Sequence, residues 1–173
     1  QTLVLAGGNT PRPLYAALAA LDYPWDTVQV FFSDERCVPH DHPDSNYGMA
    51  HAALLGQVKA TAYPFPTDCD AFGYETALRE VFRGEDTPTF DLAFLGIGAD
   101  GHTASLFPGD AALHETEHWV ARVLRSDHPR LTLTLPALGG IDQAVYLVSG
   151  ADKRDAVRRV LAGEPLPPNL VQA

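Results

Sequence analysis

The chain is poor in cysteine, in basic residues and in long apolar runs. Its 173 residues include two cysteines, Cys37 and Cys69. They make no metal or redox spacing and fit a reducing cytosol or its bacterial equivalent, so a cytoplasmic location is expected. Twelve basic residues stand against 22 acidic ones, a net charge of −10. That argues against a broad surface for nucleic acid or anionic membrane, yet a local basic pocket could still take a small anion. No apolar run approaches the ~18 residues of a membrane span. The Walker lysine pattern and the full dinucleotide fingerprint are both missing, which disfavours a nucleotide. There is no internal repeat and no low-complexity segment. No signal peptide is visible, but the chain opens on Gln1 inside a strand-like run, so the lack of a targeting segment carries little weight.

What is present suits one domain, residues 1–173, with a sizeable core and an ordinary hydrophobic content of 46%. TLVLAG (2–7), VQVFFSD (28–34) and FDLAFLGIG (90–98) read as buried strands, the last without alternation and so covered on both faces. HWVARVL (118–124), RLTLTLP (130–136) and QAVYLVSG (143–150) read as further strands, and the alternation in RLTLTL implies one wetter face. Helical spacing follows Pro11, with Asn9 or Thr10 as its cap, and recurs around 45–55, 68–83 and 152–163. The tail 164–173 is proline-rich and reads as irregular. Strands alternating with helices imply an α/β three-layer sandwich around a largely parallel, Rossmann-like sheet. Ligands of such sheets gather beyond the carboxyl ends of the strands. Three polar segments fall there: GGNTPR, SDERCVPHDHPDSNYG and GIGADGHTASLFPG.

Each segment has a plain reading beside a chemical one. GGNTP (7–11) is an ordinary capped turn, or a turn whose glycines and helix N-terminus cradle a phosphate. SDER (33–36) is a surface ion pair, or an arginine placed beyond a strand for bidentate phosphate recognition. His40 and His42 lie two residues apart among acids, but no third ligand stands at a recognisable spacing, so a solvated loop is the better reading. GADGHTAS (98–105) is the sharpest signal. A histidine is suited to taking a proton near neutral pH, and Asp100 could orient the imidazole of His102 or hold a substrate hydroxyl. The glycines would let backbone N–H groups face a developing oxyanion. Arg130, opening a strand, and Lys153, opening a helix, are weaker candidates.

Taken in order, AGGNTPRPLY, FFSDERCVPHDHPDSNYGMA, LAFLGIGADGHTASLFPG and RLTLTLPAL closely resemble the 6-phosphogluconolactonase family. That family shares a superfamily with glucosamine-6-phosphate deaminases, and its architecture is also that of ribose-5-phosphate isomerase and CoA transferases. The similarity covers residues 2 to about 163, and the chain reads as cut at both ends relative to the family. The resemblance implies hydrolysis of 6-phospho-D-glucono-1,5-lactone in the oxidative pentose phosphate pathway. It implies no metal, no organic cofactor, no nucleic-acid or membrane partner, and a monomer. His102 matches the family's general base and Asp100 the acid of its DGH motif. Gly8, Asn9 and Thr10 match the phosphate loop. Arg36, Arg130 and Lys153 match its basic residues, and Asp34 an acid near the sugar. Deaminases follow DGH with an AFNEP-like run, whereas this chain continues TASLFPG and has no acid until Asp110. A non-catalytic sugar-phosphate sensor is the rival from another class.

Overall fold

Short apolar runs halted by glycines or polar clusters become the strands of two sheets in the computed structural model, which describes residues 1–171. In chain order the elements are β1 (Thr2–Leu5), α1 (Arg12–Ala19), β2 (Gln29–Phe32), β3 (Asp34–Arg36), α2 (Asn46–Ala50), β4 (Thr61–Ala62) and α3 (Ala71–Val81). There follow β5 (Leu92–Gly96), β6 (Val120–Val123), β7 (Arg130–Leu133), α4 (Leu135–Leu138), β8 (Ala144–Leu147), α5 (Arg154–Leu161) and α6 (Pro167–Leu170). The larger sheet has the order β4-β2-β1-β5-β8, and every pair in it is parallel. Its central strands are buried through Val4, Leu5, Val30, Phe31, Phe32, Ala93 and Leu95. Phe31 stacks on Tyr63 with ring centroids 4.8 Å apart and meets Phe82 and Phe90 edge-on or tilted. Removing each such side chain from water is worth about 1.5–3 kcal/mol.

The smaller sheet, β3-β7-β6, is antiparallel and was not expected. The chain leaves β2 at the buried Ser33 and starts β3 at once, so SDER is a strand rather than the beginning of a loop. β7 is consequently covered on both faces, and Leu131, Thr132 and Leu133 are all buried. This corrects the wetter face inferred from its alternation: the threonines face a polar interior, where Thr132 Oγ1 accepts from the Ser105 N–H at 3.2 Å.

Other expectations shift in detail. The N-cap of α1 is Pro11, without a side-chain cap, in place of Asn9 or Thr10. Ser45 caps α2 by accepting the Gly48 N–H, and the helix runs on as a wider π turn over His51–Leu55. Asp70 caps α3 in the same manner. The tail forms the short helix α6 where irregular chain was expected; Gln172 and Ala173 lie outside the described residues. The cysteines are also corrected. Cys37 and Cys69 form a disulfide with Cα atoms 5.3 Å apart, which removes their support for a reducing compartment.

Candidate active site

Four of the five strands of the parallel sheet, all but β4, deliver residues from their carboxyl ends to one cleft of about 290 Å³. It is lined by the turn after β1, by the Asp34–Arg36 segment after β2, by the loop after β5 and by the turn after β8. Eight expected site residues meet there: Gly8, Asn9, Thr10, Asp34, Arg36, His102, Arg130 and Lys153. The ninth, Asp100, lines an adjoining groove with His102, Arg36, Arg130 and Lys153. In the first turn Gly8 sits at φ +93°, a conformation glycine adopts without strain. Pro11 and Pro13 carry no N–H, so donors at this end come from Gly8, Asn9 and Thr10, whose N–H groups have no acceptor among the described residues. The Thr10 and Ser149 hydroxyls, 2.9 Å apart, tie this turn to the one after β8.

The histidine is held by its own loop. His102 Nδ1 lies 2.6 Å from Asp100 Oδ1, and the same oxygen accepts the His102 backbone N–H at 3.1 Å. Burial pushes the Asp100 carboxyl up, but the two contacts with His102 outweigh it and hold the group below the ordinary carboxylate range. Asp100 is therefore an acceptor at neutral pH, so Nδ1 carries the proton and Nε2 keeps its lone pair. A Cβ on Gly98 would overlap the imidazole, so only glycine lets the ring sit there. Phe107 covers the ring at 4.5 Å between centroids, with the Arg125 guanidinium 3.9 Å above Phe107. The loop also corrects one expectation. The N–H groups of Gly98, Gly101 and His102 are bonded to His102 O, Gly98 O and Asp100, so these three do not face an oxyanion.

Strand register explains the basic side chains. In the β3–β7 pair Arg36 lies opposite Arg130, and Asp34 opposite Thr132. Arg36 Nη1 donates to Asp44 O at 2.8 Å and to Asn46 Oδ1 at 3.2 Å. Arg130 Nη2 donates to Asp127 Oδ2 at 2.6 Å, while its buried Nε–H has no partner among the described residues. An orphaned guanidinium N–H beside a cleft calls for an anionic acceptor. Asp34 is buried and receives Ser105 Oγ at 2.6 Å. Lys153, part-exposed, has Nζ 3.5 Å from Asp152.

The comparisons bear on this geometry. The family described as Glucosamine-6-phosphate isomerases/6-phosphogluconolactonase matches residues 1–173. A 6-phosphogluconolactonase of Synechocystis sp. is 44% identical over 96% of this chain and 73% of its own length. One of Nostoc sp. is 40% identical over 93% of this chain and 71% of its own length. The crystal structure of 6-phosphogluconolactonase from Thermotoga maritima superposes with a TM-score of 0.87 at 34% identity, covering 98% of this chain and 79% of that one. The chain belongs to the glucosamine-6-phosphate isomerase/6-phosphogluconolactonase family.

Within that family these relatives all carry the lactonase name, and the enzyme class is that of 6-phosphogluconolactonases, carboxylic ester hydrolases. The cleft and its surroundings include residues that motif reading did not single out. Asn46, inside the quoted SNYG run, donates to Asp34 O at 2.8 Å while accepting from Arg36, so one amide orients both. Ser149 lines the cleft, Phe107 and Arg125 line the adjoining groove, and Ser105 reaches the site only through its hydrogen bond to Asp34. For Asn46 and Ser105 the usable signal was a polar residue next to a motif residue; for Arg125 and Ser149 nothing in the local pattern distinguishes them from solvated side chains.

Proposed function

We propose that this chain hydrolyses 6-phospho-D-glucono-1,5-lactone to 6-phospho-D-gluconate, with His102 as the general base. The observation that carries the proposal is the Asp100–His102 pair, which leaves Nε2 as a base on a residue lining the same cleft as Arg36 and Arg130. Arg36, Arg130 and the N–H groups of Gly8, Asn9 and Thr10 hold the phosphate, and Asp34 accepts from a sugar hydroxyl. Binding the remote phosphate fixes the ring against the histidine, so its energy serves positioning. Water gives a proton to His102 Nε2 as its oxygen attacks the lactone carbonyl. Asp100 stabilises the imidazolium that forms. With three loop N–H groups already bonded internally, we assign the oxyanion to Lys153, which lines the cleft with His102. Collapse of the tetrahedral adduct breaks the bond to the ring oxygen, and His102 returns the proton to that oxygen. No step passes through a metal or organic cofactor. No helix among the described residues is long and apolar enough to cross a membrane. The chain acts as a monomer without nucleic acid as partner, and the Cys37–Cys69 disulfide leaves a cytoplasmic location without its cysteine argument.

The test uses lactone made freshly with glucose-6-phosphate dehydrogenase and followed against spontaneous hydrolysis. The protein accelerates its loss, EDTA leaves the rate unchanged, and His102→Ala lowers kcat by about 10²–10⁴ while 6-phosphogluconate still binds. Arg36→Ala raises KM about tenfold or more, as loss of a charged hydrogen bond does. Near-normal kcat in His102→Ala would remove that residue from the chemistry. Binding of 6-phosphogluconate by the unaltered protein without turnover would make it a sensor.

A further inference from the structure

One cluster of ligand-type side chains takes no part in the cleft. His42 and Asp44 lie in the loop between β3 and α2, and His128 in the turn between β6 and β7. Sequence spacing offers His42 no third ligand. The antiparallel β3–β7 pair supplies it from 84 residues beyond Asp44, because it carries both loops to the same end, where the Cys37 N–H donates to Pro129 O at 2.8 Å. One ligand atom from each of His42, Asp44 and His128 lies within 4.8 Å of the other two. His128 Nε2 is 3.2 Å from Asp44 Oδ2, and His42 Nδ1 is 3.8 Å from the same oxygen. The two imidazoles stand nearly perpendicular, with centroids 5.5 Å apart.

These spacings suit an ion. Two donors bound at about 2.0–2.1 Å in tetrahedral geometry stand roughly 3.4 Å apart. Asp44 and His128 already meet that spacing, and His42 needs a small approach. His42 Nδ1 accepts the Asp44 N–H at 3.1 Å, so the nitrogen nearest the carboxylate is the one that keeps its lone pair. Binding an ion there costs that hydrogen bond, whose N–H then turns to water, and the bond from His128 Nε2–H to Asp44, whose proton moves to Nδ1 of the same ring. The competing carboxylate, Asp127, is engaged by Arg130. Two imidazole nitrogens and one carboxylate oxygen favour zinc-like ions over magnesium and calcium, which prefer oxygen alone.

We propose that His42, Asp44 and His128 bind one divalent transition-metal ion of the zinc type, completed by water, at the surface outside the sugar-phosphate cleft. The ion cross-links the 37–45 loop to the turn before β7. Those two segments lead from Arg36 and into Arg130, so the site stiffens the part of the molecule that presents both guanidinium groups.

The test is titration of metal-stripped protein with Zn²⁺ by calorimetry and with Co²⁺ by visible absorption, which reports imidazole coordination directly. One equivalent is expected at micromolar Kd, with a rise in Tm and no response to Mg²⁺. His42→Ala and His128→Ala should each weaken binding at least about tenfold and abolish the Tm rise. Neither residue lines the cleft, so both variants keep the hydrolytic rate of the unaltered protein without metal. Binding that persists unchanged in both variants, or a Kd no tighter than millimolar, would overturn the site. Because the readout is metal binding, the outcome is independent of whether the lactonase mechanism survives its own test.

Discussion

Asp100 touches His102 twice, once at the ring and once at the backbone, and the two contacts have separable consequences. The backbone contact shapes the loop; the ring contact sets the tautomer. Asp100→Asn keeps a side-chain oxygen for the backbone N–H but removes the charge that favours the imidazolium and can present an NH₂ to Nδ1, favouring the wrong tautomer. We expect kcat to fall by up to about 10⁴-fold with KM little changed, since Asp100 has no hydrogen bond or ion pair with the arginines among the described residues. A large rise in KM with kcat preserved would instead place Asp100 on a substrate hydroxyl, the other role its position allows. Asp127 offers a pH test at the same scale. The His128 backbone N–H, and after it Arg130, lower its carboxyl from 3.8 to about 2. A carboxyl whose folded pKa is depressed contributes stability that is complete above its unfolded value and is lost as pH falls toward the folded one. Asp127 is exposed, so the effect is small. The Tm difference between the unaltered protein and Asp127→Asn should shrink between pH 6 and pH 2; a gap that widens on acidification would contradict the assignment.

At the scale of elements, a buried acid decides where β3 ends and α2 begins. Glu35 accepts the N–H groups of Arg36, Asn46 and Tyr47 and the Ser45 hydroxyl, at 2.8–3.0 Å. Burial pushes its carboxyl up, against the pull of those four donors. One side chain thereby folds the DER strand back onto the SNYG helix and sets Asn46 between Asp34 and Arg36. Glu35→Ala would strand three backbone donors, and we expect urea denaturation to show a loss of about 3 kcal/mol. A loss under about 0.5 kcal/mol, the range of ordinary surface substitutions, would mean that water replaces the carboxylate. The same element shows the limits of reading local pattern. Four of the five parallel strands were legible because a covered strand is a continuous apolar run; β4, two residues at the sheet's edge, carries no such run and was not read. SDER was not legible as a strand, because its partner β7 is almost a hundred residues away and its buried acid looks like a surface charge. The gathering of Arg36 and Arg130 follows from that unseen pairing. Motif resemblance could name both residues, yet it could not say that register places them face to face. The internally bonded N–H groups of the histidine loop were hidden for a related reason: glycines announce freedom of the backbone without saying where the freed groups turn.

At the scale of the molecule, the disulfide links the end of β3, next to Arg36, to the start of α3. Cys37 follows Arg36 directly, and Cys69 precedes Asp70, the cap of α3. α3 in turn sends Glu75 to the N–H groups of Trp119 and Val120 at the start of β6. One covalent bond therefore joins the smaller sheet to the helix that buttresses it, across 32 residues of chain. Closing a loop of that size restricts the unfolded chain by about 3–4 kcal/mol on the chain-entropy account. Because the smaller sheet carries Arg36 and Arg130 while the parallel sheet carries His102, loosening the link should affect phosphate binding before it affects the chemistry. Cys69→Ser is expected to lower stability by about 3 kcal/mol and to raise KM more than it lowers kcat. Dithiothreitol should reproduce both effects in the unaltered protein and add nothing to the variant. Equal stability with and without reductant, in protein shown by thiol titration to begin oxidised, would mean that the two cysteines are held together by the fold and contribute nothing through their bond.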